Sequence, residues 1–203
     1  MKYLPVVLIS TAAIFGAVTL NSARAQEQPS LPGSEKEHAL EAVEFLSGFG
    51  FGELRDKDDA RIYPLILDLD FDLTKPAQRI GLYPPGLLQF VLEPYFFTYE
   101  QPDTNIETGL AFLIKIGFLP KSSRLQPYFK AGAGLSYMTL QTHEQGDQFN
   151  FIEYGSLGAH YFIDENWAFT AEYRFRHLSN ADLATPNKGI NTKFIVTGLT
   201  YRF

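Results

Sequence analysis

A histidine and a serine two residues apart, His177 and Ser179, are the residues of this sequence best suited to catalysis. They open the stretch HLSNADLATPNKGIN, which ends at Asn191. A histidine next to a serine can take up the hydroxyl proton and turn the serine into a nucleophile for acyl transfer. Because a His-x-Ser pair arises by chance in many chains, the function depends on where both side chains point. The alternative is an ordinary polar hairpin tip.

The elements that position this pair are predicted to be β-strands. From Ala42 onward the sequence alternates with a period of two, which is typical of strands with two different faces. We expect an all-β fold, an eight-stranded antiparallel transmembrane β-barrel of the outer-membrane type. The eight strands are predicted at about 42–54, 61–73, 87–99, 106–118, 127–141, 149–162, 166–179 and 190–203.

The two faces of these strands differ in a way that indicates a membrane barrel. One face is apolar and aromatic, and the other carries glycine and charged residues. Aromatic residues also cluster near predicted strand ends, as in an interfacial girdle: Tyr95, Tyr99, Tyr128, Trp167 and Tyr201. The chain ends in Tyr-Arg-Phe, an ending similar to that of bacterial outer-membrane barrels. A soluble lipid-binding barrel, with its apolar face inside, is an alternative.

The charged face is predicted to fill the barrel interior. An eight-stranded barrel is just wide enough for side chains, so we expect no wide pore. We expect acidic and basic residues to meet there as structural pairs, the acids being Glu44, Asp68, Asp70, Asp72 and Glu172 and the bases Lys115, Lys130, Arg174, Arg176 and Arg202.

Strand parity predicts that His177 and Ser179 face the lipid. Both share parity with Trp167 and Phe175, which belong to the aromatic face. Residues i and i+2 on one face are about 6.5–7 Å apart at Cα, so their side-chain tips can approach hydrogen-bonding distance. If the N-terminus lies in the periplasm, the pair lies at the outer end of its strand, on the outer-leaflet side.

The N-terminal segment and the composition indicate the location of the protein. Residues 1–25 have the pattern of a signal peptide, with Lys2, an apolar stretch and Ala23-Arg24-Ala25 as the cleavage signal. Residues 26–41 are a polar lead-in, and the barrel is expected over 42–203. Without Lys2 and Arg24 the chain has 15 basic and 23 acidic residues, a net charge of −8, which disfavours nucleic acid as a partner. There is no cysteine, and no metal or other cofactor is expected.

The stretch around His177 resembles the outer-membrane lipid A 3-O-deacylases, the PagL family. The matching residues are His177, Ser179, Asn180, Ala181, Leu183, Pro186, Asn187, Gly189 and Ile190, and the specific likeness covers about residues 167–203. The resemblance implies an esterase that removes the 3-linked acyl chain of lipid A, with lipopolysaccharide as partner. It implies Ser179 as nucleophile and His177 as general base, and it places Asn180, the backbone after it and Asn187 near the oxyanion loop.

The sequence departs from the family pattern at two positions. Asp182 occupies a position where the family has glycine, and Asn191 occupies the position of the family's third triad member, a glutamate. Asparagine can hold a histidine ring but cannot stabilise an imidazolium by charge. A barrel that has lost the acid and serves a structural or adhesion-type role is therefore an alternative.

Glu153 is a candidate for the missing negative charge. A hairpin turn at Asp164-Glu165-Asn166 is expected to pair residue 151 with 177 and 153 with 175. Glu153 would then have the parity of the lipid face and lie diagonal to His177, within reach of a long side chain. We therefore include Glu153 with Ser179, His177 and Asn191 among the predicted catalytic residues.

Overall fold

The computed structural model describes residues 39–52, 54, 60–101 and 104–203. These residues form a closed antiparallel barrel in which each strand pairs with the next and β8 pairs with β1. The strands are β1 Leu40–Gly52, β2 Ala60–Asp72, β3 Leu88–Gln101, β4 Asn105–Gly117, β5 Leu125–Met138, β6 Phe149–Phe162, β7 Trp167–Ser179 and β8 Ile190–Arg202. The prediction of eight strands is confirmed, with their bounds within a few residues.

A short helix that the sequence analysis did not predict joins β2 to β3. This helix, α1, spans Thr74–Arg79 and buries only Ala77. It lies at the same end of the barrel as Phe203, whose backbone N–H donates to the Glu41 carbonyl. We call this the terminal end, and the opposite end, which carries the connections 139–148 and 180–189, the site end. No helix in the described part of the chain is long and apolar enough to cross a membrane.

The outward face of the strands is apolar, as the alternation predicts. In β7 the odd-numbered residues from Trp167 to Phe175 are exposed, and the even-numbered residues from Ala168 to Leu178 are buried. The sequence left the faces of β3 open, and the structure assigns Phe97 to the interior and Phe96 to the outside. An aromatic exterior around a charged interior is the arrangement of an outer-membrane barrel and the reverse of a soluble lipid-binding barrel.

The interior holds a network of ion pairs. Lys115 contacts Glu44 and lies 2.7 Å from Asp70, and Lys130 lies 2.6 Å from Asp68. Glu172 lies 2.7 Å from Lys130 and 2.8 Å from Arg174. All of these side chains are almost completely buried, so each charge depends on its partner in place of water.

Two of the ten charges expected in this interior lie elsewhere. Asp72 lies at the terminal end, 3.2 Å from Lys121, and Arg202 donates to the carbonyls of Lys121 and Glu165 at the same end. Both stand at strand ends, where the chain has already left the lumen. Two acids outside the predicted set lie in the interior instead, since Glu93 binds Arg174 at 2.6 Å and Glu107 binds Arg176 at 2.5 Å.

The interior is less polar than the alternation suggests. A cluster of buried apolar and tyrosine side chains lies among the inward residues, and it includes Leu46, Ile62, Phe97, Leu113, Tyr99, Met138, Ile152, Leu178, Phe194 and Val196. The expectation that Tyr95, Tyr99 and Tyr128 belong to an interfacial girdle is wrong, because all three are buried in the interior, where their hydroxyls donate to Glu107 and Glu172. Leu178 is fully buried although its neighbours His177 and Ser179 are partly exposed. This packing fixes which face of β7 points outward at its end, because a one-residue slip of the strand would expose the buried leucine and turn His177 and Ser179 into the interior.

The register of β6 against β7 differs by two residues from the expected one. Ile163 and Trp167 close the hairpin with a backbone hydrogen bond of 2.8 Å, so the turn is centred on Glu165. The backbone N–H groups of Trp167 and Asn166 donate to the Asp164 carboxylate at 2.7 and 2.8 Å and hold its pKa below the ordinary value. A shift of two keeps every side chain on its predicted face but changes which residues are opposite each other.

Candidate active site

Three polar side chains form a row across β6, β7 and β8 on the outside of the barrel. Glu153 on β6 pairs with His177 on β7, and His177 pairs with Asn191 on β8. Neighbouring strands lie about 4.8 Å apart, so these three residues are direct neighbours. The sequence predicted Glu153 diagonal to His177, and that detail is wrong: the two are directly opposite, because of the register described above.

Asn191 orients the imidazole ring of His177. The Asn191 Oδ1 atom lies 2.7 Å from Nδ1 of His177. An amide oxygen only accepts, so Nδ1 carries the proton and Nε2 is the basic nitrogen. This is the tautomer that a carboxylate would select in a serine hydrolase, although the amide adds no negative charge.

Ser179 follows at the end of β7, opposite Phe151 on β6. It is on the same outward face as His177, and both are partly exposed. In the described part of the chain no hydrogen bond joins the Ser179 hydroxyl to the imidazole ring. The two side chains are neighbours on one strand face but are not hydrogen-bonded to each other. Catalytic hydrogen bonds are often long in the absence of substrate and shorten in the reacting complex.

Gly189 provides the space for the imidazole ring. Its φ angle is +70°, a conformation that side chains rarely adopt. A Cβ atom added there would come within 2.4 Å of Cε1 and 3.0 Å of Nε2 of His177. Any residue other than glycine would therefore push the ring away from its position.

The chain after Ser179 turns back through two residues in the left-handed region. Ala181 has a φ of 52° and Asp182 a φ of 62°, and Leu183 N–H donates to the Asn180 carbonyl at 3.0 Å. Positive φ at both central residues is the pattern of a type I′ turn, which favours glycine or asparagine. This geometry gives a physical reason for the glycine that the resemblance implies at the position of Asp182.

Asn180 holds the loop together from inside. Its backbone N–H donates to Asn187 Oδ1 at 2.9 Å, and its Nδ2 donates to the carbonyls of Ala184 and Pro186 at 3.0 and 3.2 Å. The side chain of Asn180 is completely buried. The Nδ2 of Asn187 in turn donates to Asp182 at 2.9 Å. In this state the amide donors of both asparagines are used within the loop.

A second loop braces the first, and sequence reasoning missed it. Gly146 N–H donates to the Pro186 carbonyl at 2.7 Å, and Lys188 N–H donates to the Glu144 carbonyl at 2.9 Å. Gln145 also bridges to Asn187 and reaches the Leu178 carbonyl. Apart from the bond of the Gln145 side chain to Leu178, these contacts join distant backbone groups, which no local pattern in the sequence could have indicated.

One group of carboxylates among the described residues has the spacing of metal ligands. Glu44, Asp68 and Glu172 each place one oxygen within 4.8 Å of the others. They lie in the barrel interior and already bind lysine and arginine side chains there. This group is separated from His177 by the barrel wall and belongs to the interior ion-pair network.

Comparison with protein families identifies the chain. The family model of lipid A 3-O-deacylase (PagL) matches residues 70–200, well over half of the sequence. The chain belongs to the lipid A 3-O-deacylase family. The matched segment contains the whole row of Glu153, His177 and Asn191 together with Ser179.

Solved structures agree with this membership at the level of the fold. The outer membrane enzyme PagL, in its crystal structure, is 20% identical, with a TM-score of 0.59, over 77% of this chain and 97% of that one. Neisserial surface protein A (NspA) is 12% identical, with a TM-score of 0.60, over 80% of this chain and 96% of that one. No curated protein sequence matches the chain. The family and the fold together assign the protein to the outer-membrane lipid A deacylases.

Proposed function

We propose that this protein removes the 3-O-linked acyl chain of lipid A in the outer leaflet of the bacterial outer membrane, by a serine–histidine mechanism. The observation that carries the proposal is the row on the outside of the barrel. There Asn191 is hydrogen-bonded to His177, and Ser179 lies two residues further along the same face of β7. An ester embedded in a membrane can reach that face from the side, without entering the barrel.

In the proposed reaction His177 acts as general base and then as general acid. Nε2 takes the proton of the Ser179 hydroxyl while Oγ attacks the ester carbonyl and forms a tetrahedral intermediate. The intermediate collapses, the C–O bond to the sugar breaks, and the sugar oxygen receives the proton from Nε2. Water, activated by the same nitrogen, then hydrolyses the acyl-serine ester and releases the fatty acid.

The turn after Ser179 supplies candidate oxyanion donors. The backbone N–H groups of Ala181 and Asp182 make no hydrogen bond to any of the described residues, and they belong to the second and third residues after the nucleophile. We assign Asn180 the role of holding this turn, because its donors already bind the loop. Asn187 becomes a further donor when its amide leaves Asp182. A well-placed donor of this kind contributes about 10²–10³-fold to the rate.

Glu153 supplies the charge that Asn191 lacks. It is exposed on the outward face, directly opposite His177, and makes no ion pair or hydrogen bond with the described residues. A carboxylate one strand away stabilises the imidazolium that forms when Ser179 loses its proton. In this arrangement Asn191 sets the tautomer and Glu153 sets the charge, two tasks that the family resemblance assigns to a single glutamate.

Mass spectrometry of lipid A tests the proposed function. The purified protein in detergent is incubated with lipopolysaccharide, and lipid A is then weighed. We expect the loss of one 3-hydroxyacyl group with the wild type and no loss with Ser179→Ala. Intact lipid A with the folded wild type, across a range of detergents and pH, would instead favour the inert barrel.

A further inference from the structure

A cavity at the terminal end of the barrel lies at the opposite end from the proposed active site. It lies between the connection from β4 to β5 and the turn from β6 to β7, and its volume is about 410 Å³. Small-molecule sites usually have volumes of about 300–1,000 Å³. Arg124, Phe162, Asp164, Glu165 and Arg202 are among the residues that line the cavity, which we call the terminal cavity.

One residue, Phe162, holds two guanidinium groups in the terminal cavity. The Nε–H of Arg124 donates to the Phe162 carbonyl at 3.0 Å, and the Phe162 N–H donates to the Arg124 carbonyl at 2.8 Å. The Cζ atom of Arg202 lies 4.2 Å from the centre of the Phe162 ring. Because both arginines contact the same residue, their two positive charges lie on one side of one cavity.

Neither arginine is neutralised by a carboxylate in the described part of the chain. Arg202 donates to the carbonyls of Lys121 and Glu165 at 3.2 and 2.7 Å. No carboxylate of the described residues lies within 4.0 Å of either guanidinium group. Arg124 uses only its Nε–H, so its Nη1 and Nη2 groups make no hydrogen bond with the described residues. A planar fork of such N–H donors matches the oxygens of a phosphate group.

The terminal cavity also carries negative charge, on the turn from β6 to β7. Glu165 is exposed and makes no ion pair with the described residues, and Asp164 accepts only backbone N–H groups of that turn. The third cation of the cavity, Lys121, is paired with Glu41 and Asp72 outside it. Two positive and two negative groups therefore remain. A simple anion would be repelled by the carboxylates, whereas a ligand with a phosphate and an ammonium group would match both charges.

Aromatic side chains place the terminal cavity at the level of lipid headgroups. The Cζ atom of Arg124 lies 5.0 Å from the centre of the Tyr161 ring, which is exposed on the outward face of β6. The rings of Trp167 and Tyr201 lie 4.9 Å apart at the same end of the barrel. Outward tyrosine and tryptophan rings occupy the interface between the membrane and water. In the orientation of the proposed function, this end lies in the leaflet opposite the lipid A substrate.

We propose that the terminal cavity binds the headgroup of a phospholipid that carries a phosphodiester and a primary ammonium group, as phosphatidylethanolamine does. Arg124 and Arg202 bind the phosphate, and Glu165 accepts hydrogen bonds from the ammonium group. The inference takes only the orientation of the barrel from the proposed function and does not depend on catalysis. It gives the protein a second lipid site, which binds a lipid of the opposite leaflet and so holds the barrel at a fixed depth.

Native mass spectrometry of the intact, folded protein tests this site by counting bound lipid. The protein in detergent micelles is titrated with phosphatidylethanolamine, with phosphatidylcholine, whose ammonium group has no N–H donor, and with phosphatidylglycerol, which has no ammonium group. We expect one phosphatidylethanolamine per chain, bound about tenfold more tightly than either of the other lipids. Equal affinity for the three lipids, or a preference for phosphatidylglycerol, would overturn the proposal.

Two variants assign the two halves of the headgroup. Arg124→Gln should weaken binding of phosphatidylethanolamine and phosphatidylcholine alike, by about tenfold, because both carry the phosphate. Glu165→Gln should lower the affinity for phosphatidylethanolamine to that for phosphatidylcholine and leave the latter unchanged. Arg79→Gln, an exposed position on α1 at the same end, is the matched control and should bind as the wild type does.

The result is independent of the proposed function. Ser179→Ala should bind phosphatidylethanolamine as the wild type does, so the site stands even if the wild type removes no acyl chain from lipid A. Wild-type affinity for phosphatidylethanolamine in folded Arg124→Gln overturns it, whatever the deacylation activity. If Arg124→Gln does not fold, Arg124→Lys keeps the charge and loses the fork of donors, and there too an unchanged affinity overturns the site.

Discussion

The Oδ1 atom of Asn191 lies 2.7 Å from Nδ1 of His177, on the outer surface of the barrel and in the row that Glu153 begins. This contact fixes the ring and its tautomer at a position where the family resemblance implies a glutamate. The neutral amide reproduces the hydrogen bond of that acid but not its charge.

Restoring the acid should make the enzyme faster. In Asn191→Glu the carboxylate accepts from Nδ1 as the amide does and also stabilises the imidazolium. Changing an acid to an amide in a serine protease costs about 10⁴-fold, largely through the wrong tautomer. Since the tautomer is already correct here, we expect a gain in kcat of about tenfold to a hundredfold. The rate of lipid A deacylation measures this gain. Asn191→Gln, equal in size to the glutamate variant but neutral, is the control and should show no gain. If Asn191→Glu is no faster than Asn191→Gln, the role assigned to the missing charge is wrong.

Removing the charge of Glu153 should slow the enzyme without affecting the barrel. In Glu153→Gln we expect kcat to fall by about tenfold, the effect of roughly 1.4 kcal/mol of lost charge stabilisation. Glu100→Gln is the matched control, since Glu100 is also an exposed outward carboxylate but lies on β3. Barrel assembly is followed by the migration of unheated protein in gel electrophoresis. Full activity in Glu153→Gln would remove Glu153 from the mechanism.

Adding one methyl group at Gly189 should displace the general base. The new Cβ would come within 2.4 Å of the His177 ring, and a displacement of about 1 Å can cost a hundredfold in rate. We expect Gly189→Ala to lose about that much activity. Gly155→Ala is the control, because a Cβ there meets nothing within 4 Å on the same outward face. If both alanine variants retain wild-type rates, Gly189 does not position the ring.

Replacing Asp182 by glycine should both relax the turn and release Asn187. Asp182 has a φ of 62°, and its carboxylate holds the Asn187 amide at 2.9 Å. In Asp182→Gly we expect kcat to rise about tenfold, since a freed amide can act as an oxyanion donor. Ala181→Gly relaxes the neighbouring position with a φ of 52° but keeps the Asn187 contact. Equal rates in the two glycine variants would show that Asn187 is not a donor.

The fold was largely predictable from the sequence because the alternation of apolar and polar residues depends only on which face of a strand points outward and which points into the barrel. Parity placed His177, Ser179 and Glu153 on the outside without any knowledge of register, and a register error of two residues left that result intact. The pairing of Glu153 with His177 could not be predicted in the same way, since it depends on how the Asp164 turn closes. A turn that closes with a different hydrogen bond changes the register of the two strands, and so changes which residues are paired along their whole length.

Contacts between loops and inside the lumen were beyond sequence reasoning. The brace of Gly146 and Gln145 against the 180–189 loop uses backbone atoms, which leave no signal in residue types. Glu107 stands near a strand end but points inward and binds Arg176. The clash that Gly189 avoids is likewise visible only when β7 and the loop after it are placed together.

Covalent labelling of Ser179 is the most direct test of an activated serine that faces the membrane. The folded protein in detergent micelles is treated with a long-chain fluorophosphonate, digested, and its peptides are weighed. The account predicts one phosphonyl group per chain, on the peptide that contains Ser179, slower labelling in His177→Ala and complete loss of deacylation in the labelled protein. An unlabelled Ser179 in protein that still removes acyl chains from lipid A, or labelling that does not depend on His177, would contradict it.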